Sequence, residues 1–249
     1  MKPGKIAEIV PLKFLPITSL NHYHMCLAHL VLKNEKYRDF YRKMSDQGKY
    51  VMVDNGACEG EKMSYDDLIS VYDLIKPTEI ILPDVLFNMN ETLDRTRYFL
   101  ENYDLSKYKK MAVPQGKDSN EWKRCCEKIL EMEEIDSIGI PKWLGERVDE
   151  CKMLIGSGKE IHLLGCNKNP SVIKKCIEVN PLVRGCDSAF AYLCSKAGVK
   201  MIDKNTERPN EIIDFLNDTL EKTSLFNRMV EFESEAGIYD NSFQKGWYK

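Results

Sequence analysis

Three aspartates stand at the ends of short apolar runs: Asp54 in YVMVDNG (residues 50–56), Asp84 in EIILPD (79–84) and Asp187 in LVRGCD (182–187). An aspartate that follows a strand and precedes a small residue projects into a cleft at the strand's end. Carboxylates paired in this way suit glycosidic chemistry, one attacking an oxocarbenium-like sugar carbon while the other moves protons. For any single aspartate a helix cap or a turn is the commoner use, but three on the same kind of strand end point to a site. Asp84 differs from the other two. Pro83 stiffens the backbone before it, and Leu82 and Val85 flank it with apolar bulk. A carboxylate fixed there can accept two adjacent N–H groups, as on the Watson–Crick edge of a guanine-like base. Gln115, in MAVPQG (111–116), can bond the same ring's carbonyl. Gly116 and Gly139 would let the backbone close on a flat ligand, although glycine after a strand is often only a turn.

Positioning these residues takes a repeated unit. SIGIP (137–141) and IHLLGC (161–166) have the same form as the runs above, and each is followed by a helix-like pattern. Met25–Leu32 reads as strand one and Val199–Ile202 as strand eight. Lys5–Leu15 is a strand that Pro11 and Pro16 confine to an edge or a flap. Caps follow the strands: Ser64 with Asp67 resembles a capping box, and Asn88 or Asn90, Asp118 or Ser119, and Asn169 before Pro170 open further helices. A helix is expected over about Gly145–Leu154 and a final one from Pro209. Eight units of about 20–30 residues each are the signature of a (β/α)₈ TIM barrel, an α/β fold, with an open doubly wound sheet as runner-up. The 249 residues read as one domain, with a barrel core over about 24–221 and a C-terminal helical tail over 222–249. That tail, carrying Phe243, Trp247 and Tyr248, is expected to dock on the barrel or on a second subunit, a homodimer in the latter case. In a parallel α/β protein the carboxyl ends of the strands share one rim, so Asp54, Asp84, Gln115, Gly139 and Asp187 should converge there.

Composition narrows the function classes. No apolar run approaches the roughly 20 residues of a membrane span, and residues 1–15 lack a signal peptide's apolar block, so a cytoplasmic protein is expected. Nine cysteines with no CxxC pair fit a reducing compartment better than a disulfide framework, and Cys125, Cys126, Cys166, Cys176 and Cys186 read as small core residues. A net charge of −3 gives no global basic field, so any nucleic-acid contact must come from a local patch. Lys142 and Lys168 sit where phosphates could approach, among Lys174, Lys175, Arg184, Lys196 and Lys200, although a solvated basic face is the commoner meaning. His22, His24 and His29 read as core or surface residues. His162, inside IHLLGC, is the one histidine placed with the substrate-binding residues.

The order of VDNGACEG, LPDVLFN, VPQGKDSNEW, SIGIPKWLGE, EIHLLGCNKNP and VRGCDSAF resembles the tRNA-guanine transglycosylase family over about residues 50–198. The resemblance implies a (β/α)₈ fold and an exchange of guanine for a 7-deazaguanine base. It implies that Asp54, with Asn55 and Gly56 in the first motif, is the general acid and base, and that Asp187 is the nucleophile forming a covalent glycosyl intermediate. Asp84, Gln115, Gly116, Gly139 and Ile140 would bind the base. Departures matter too. The zinc motif of the tRNA enzymes is missing, so no zinc and no other cofactor is expected. Ala57 and Cys58 replace a glycine and an aromatic of the first motif, leaving Phe87 and Tyr192 as candidates to stack on the base. The short chain without an appended RNA-binding module is similar to the compact phage members that act on DNA, so DNA is the favoured partner over RNA. Two rivals are a non-catalytic transglycosylase-like subunit and a barrel enzyme acting on a small sugar or acid.

Overall fold

The computed structural model describes residues 5–58, 60–61, 63–166, 170–199, 213, 215, 218 and 222–236. Eight strands alternate with helices in chain order: β1 (Lys5–Glu8), α1 (Leu15–Thr18), β2 (Tyr23–Leu27), α2 (Ala28–Lys33), α3 (Glu35–Asp46), β3 (Tyr50–Asp54), α4 (Tyr65–Ile75), β4 (Glu79–Ile81) and α5 (Met89–Asn102). Then come β5 (Lys109–Ala112), α6 (Ser119–Leu130), β6 (Ser137–Ile140), α7 (Val148–Met153), β7 (Glu160–Leu163), α8 (Ser171–Val179), β8 (Val183–Ser188), α9 (Phe190–Ala197) and α10 (Lys222–Glu235). All ladders are parallel in the order β1-β8-β7-β6-β5-β4-β3-β2, and β1 and β2 lie side by side at the remaining seam. This is a nearly closed (β/α)₈ barrel.

Alternation along the strands sorts the apolar residues into two shells. Val51, Val53, Ile80, Ala112, Ile138, Ile140, Ile161 and Leu163 face the helices, whereas Ala7, Tyr23, Met25, Met52, Ile81, Met111 and Val113 fill the barrel itself. Burying each large aliphatic side chain contributes about 1.5–3 kcal/mol. The expected caps form: Ser64 and Asp67 make a capping box, and the side chains of Asn88 and Asp118 accept from the main chain of Glu91 and Glu121. Asn169 lies outside the described residues.

Four expectations change. The segment read as an edge or flap strand is the first stave of the barrel, because Lys5–Glu8 pairs in register with Gly185–Ser188. It is also an end of the ladder, as its flanking prolines suggested. The strand expected over Met25–Leu32 is β2 only as far as Leu27, which pairs with Asp54 at the end of β3; from Ala28 the chain is helical. Val199 belongs to no strand, and Lys200–Ile202, most of the helix expected from Pro209, and the aromatic end of the tail lie outside the described residues. The helix expected from Gly145 begins at Val148, after a 3₁₀ turn over Lys142–Leu144. In the tail, α10 packs on α9 with the rings of Phe232 and Phe190 6.3 Å apart.

Closure at β1 depends on one glycine. A Cβ on Gly185 would lie 2.0 Å from the Lys5 carbonyl oxygen, an overlap only backbone movement could relieve. Gly185→Ala is expected to lower unfolding free energy by about 1–3 kcal/mol or more, as overpacking does. Urea unfolding measures this, and a variant as stable as the parent would refute the close approach.

Candidate active site at the carboxyl rim

Because every ladder is parallel, the ends of β3, β4, β5, β7 and β8 deliver their following residues to one rim, and three of those ends build a clamp around Asp84. Asn55 Nδ2 donates to Asp84 Oδ1 at 2.6 Å and to the Leu82 carbonyl at 2.7 Å, while Gln115 Nε2 donates to Asp84 Oδ2 at 2.6 Å. Asn55 Oδ1 in turn accepts from Ala57 N at 2.9 Å. Asn55 is thereby committed on every side and acts by holding the carboxyl. Burial pushes Asp84 up to about 6, and the two amide donors offset part of that rise by favouring the ionised form. A ring edge with adjacent N–H groups matches what such a carboxylate accepts.

Asp187 is held from the strand beside it. Gly165 N, just past β7, donates to its Oδ1 and Oδ2 at 3.1 and 3.2 Å, and His162 Nε2 lies 3.1 Å from Oδ1. His162 Nδ1 meets the Tyr23 hydroxyl at 2.8 Å. A carboxylate only accepts, so the imidazole carries its hydrogen on Nε2 and takes the Tyr23 O–H at Nδ1. Burial lowers the His162 pKa, with Asp187 partly opposing, which keeps the ring neutral in this chain of bonds. His162 is therefore an internal support for Asp187, fully buried beneath the rim. A register shift between β7 and β8, where Ile161 and His162 face Val183 and Gly185, adds a residue to β8. It allows both Arg184 and Asp187 to face inward, a common use of a bulge near a site.

Asp54 ends β3, half-buried, and its Oδ2 accepts from Gly56 N at 3.2 Å. It therefore shares the rim with Asp84 and Asp187. Other expected residues sit differently. A Cβ on Gly116 would lie 2.4 Å from Trp122 N, so this glycine brings the end of β5 onto the start of α6. Gly139 is inside β6, paired with His162, and its missing side chain leaves room for Leu164, Val113 and Met111. Ile140 faces the helix layer. Tyr192, fully buried on α9 against Phe14, offers no ring face to a ligand, whereas Phe87 is 53% exposed on the β4–α5 loop. Arg184 lies in the barrel interior with Glu79, away from any phosphate. Lys175 and Lys196 pair with Glu146 and Asp218, Lys142 is exposed beside Gly165, and Lys168 and Lys200 lie outside the described residues.

Residues not anticipated complete the picture. Trp143 donates from Nε1 to Gln115 Oε1 at 3.2 Å, and Tyr23 reaches His162 from the opposite side of the barrel seam. Arg147, buried and with a left-handed backbone, donates to the Leu164 carbonyl and to Cys166 Sγ, bracing the end of β7. The sequence signal for Trp143 was the SIGIPKWLGE segment, in which the tryptophan follows a strand end; Tyr23 and Arg147 lie outside it. Among the described residues no three His, Cys, Asp or Glu side chains gather as a metal site, and no helix is long and apolar enough to cross a membrane.

No family model and no curated protein matches the chain. Solved structures share its fold. A glycerol uptake operon antiterminator regulatory protein from Listeria monocytogenes aligns over 75% of this chain and 91% of its own at 14% identity, with a TM-score of 0.50. An N-succinyl Arg/Lys racemase from Bacillus cereus aligns over 76% and 52% at 10% identity, TM-score 0.52. A proposed dihydrodipicolinate synthetase from Pseudomonas aeruginosa aligns over 100% and 80% at 9% identity, TM-score 0.51. At such identities the likeness is one of fold, a barrel that enzymes and a regulator both use.

The clamp has a titration signature. Asp84 has a folded value of about 6 against the ordinary 3.8, so the fold favours its neutral form. That contribution to stability is fully present below about pH 4 and is lost as pH rises through about 6, a span worth about 2–3 kcal/mol. Relative to Asp84→Asn, which cannot titrate, the parent should lose that stability between pH 4 and 6 in denaturant unfolding. A pH-independent difference would contradict the assignment.

Proposed function

We propose that this protein is a base-exchange transglycosylase that replaces guanine in nucleic acid, DNA in preference to RNA, with a 7-deazaguanine. The observation that carries the reading is the Asp84 clamp. A buried carboxylate held by amides from two neighbouring strand ends, and not by a cation, has its remaining accepting capacity for adjacent N–H groups such as those of guanine. The two further aspartates on the same rim supply the chemistry that the resemblance to the tRNA-guanine transglycosylases implies. The choice of DNA rests on that resemblance to its compact members.

In this mechanism an extruded guanine nucleotide places its base against Asp84 and Gln115. Asp187 attacks C1′ of the sugar; the C1′–N9 bond breaks, an acylal-type ester to Asp187 forms, and Asp54 delivers the proton that the leaving base takes up. The incoming 7-deazaguanine then gives its N9 proton to Asp54 and attacks C1′ from the same side. The ester C–O bond breaks, Asp187 leaves as a carboxylate, and two displacements restore the original anomer. Atoms and charges return to their starting state, so no nucleoside triphosphate or redox partner is required. The support behind Asp187 fits this role, because Gly165 N and His162 fix both oxygens and so orient the attack.

The regulator that shares this fold favours a second class, a ligand-binding barrel without catalysis, for which Asp54 and Asp187 would have no use. Release of labelled guanine from single-stranded DNA and from RNA, in the presence of a 7-deazaguanine base, separates the readings. The parent should release guanine and Asp187→Ala should lose at least about 1,000-fold, as nucleophile removal does. Turnover unchanged in Asp187→Ala would rule out the assignment, and release from RNA alone would move the substrate to RNA. Tyr23→Phe, which removes only the hydroxyl behind His162, should lower kcat by about 3–10-fold through a looser Asp187 and leave base affinity unchanged.

A further inference from the structure

What the clamp can read depends on which way the Gln115 amide faces, and two residues outside the clamp decide that. Gln115 is 1% exposed. Its Oε1 accepts from Trp143 Nε1 at 3.2 Å and from the main-chain N of Phe87 at 3.4 Å, while its Nε2 gives one hydrogen to Asp84 Oδ2 at 2.6 Å. Turning the amide over would set Oε1 against a carboxylate and Nε2 against two donors, all in a buried place where unpaired polar groups are costly. Phe87 makes its contact with φ at +61°, a left-handed backbone that a bulky side chain rarely adopts. Its ring lies 5.6 Å from that of Trp143 at an interplanar angle of 52°, and the side chain remains exposed on the rim. Neither the backbone strain nor the exposed ring serves the core; both serve the approach to Gln115.

We propose that Trp143 is a positioning residue that sets base specificity. With the Phe87 main chain it locks Gln115 so that the second hydrogen on Nε2 is left for a ligand. The site then accepts at Asp84 and donates at Gln115. It takes a ring edge with two N–H donors beside a carbonyl, the edge of guanine and 7-deazaguanine, and rejects an edge that carries an amino group where the carbonyl should be. This rests on the base-binding role given to the clamp above and adds the residue that gives the clamp its polarity.

The test is the ratio of affinities for free guanine and for 2,6-diaminopurine, measured by calorimetric titration on the parent, Trp143→Phe, Trp143→Ala and Asp187→Ala. The second base has an amino group in place of the carbonyl and lacks the ring N1 hydrogen that would face Asp84, a second difference common to all four proteins. Trp143→Phe keeps a ring against Phe87 and removes only the N–H. It should reduce the parent's preference for guanine by about 3- to 10-fold, the worth of one hydrogen bond to a buried neutral group. Trp143→Ala should reduce it at least as far, and Asp187→Ala should keep it. A role in structure alone would weaken both bases together and leave the ratio alone, so an unchanged ratio in Trp143→Phe overturns the proposal. A parent that binds neither base, or both equally, overturns the base-reading assignment and this proposal with it; a selective parent with an unchanged variant removes the role of Trp143 only.

Discussion

A buried ion pair spans the barrel, Arg184 of β8 with Glu79 of β4, and the rest of the structure is arranged around it. Glu79 is fully buried and also accepts from the Ser137 and Tyr50 hydroxyls, while Arg184 reaches Glu160 and lies over the Tyr50 ring, 5.3 Å from its centroid. Removing one member of such a pair costs about 3–5 kcal/mol, because the other is left charged and buried. The pair fills the amino-terminal end of the barrel with side chains bonded to each other. The carboxyl rim is left as the end where polar groups can face a ligand, as barrels of this class generally arrange.

From that plug a polar column runs upward. The Arg184 guanidinium lies 6.0 Å from the centroid of Tyr23, whose hydroxyl meets His162, which meets Asp187 at the rim. The barrel is therefore apolar around this column and not throughout: Met25, Met52, Ile81 and Met111 occupy its other inward positions. Methionine suits such a place, since its flexible thioether fills the irregular space that a polar column leaves. The consequence at the rim is an Asp187 whose orientation is inherited from packing several residues below it.

Asp84 is fixed by a different route, and the contrast bears on chemistry. Its partners are neutral amides, so burial outweighs them and the carboxyl is held near the protonation boundary at about 6. Asp187 takes the Gly165 N–H on both oxygens and the His162 imidazole on Oδ1. One carboxyl is thus held by neutral side-chain amides in a buried place, and the other by a main-chain N–H and an imidazole from the strand beside it. The environments and not the residue types set the two carboxyls apart.

Much of this was legible in the chain. The strand ends at Asp54, Asp84, Gln115 and Asp187, the caps at Ser64, Asn88 and Asp118, and the eightfold alternation follow from local patterns of two and 3.6 residues, which the backbone obeys wherever it is. Closure was not legible. Lys5–Glu8 is short and followed by prolines, and only the approach of its backbone to Gly185 makes it the first stave; a strand at Val199 looked as good. Tyr23 with His162, Trp143 with Gln115, and Arg184 with Glu79 are pairs of residues 28 to 139 positions apart. Sequence spacing carries no record of them, because they arise only when strands distant in the chain are bent into a ring. The sequence by itself therefore determined which residues stand on the rim, and the tertiary structure decided which of them touch, since contact inside a closed barrel depends on register and bulges that no local pattern encodes.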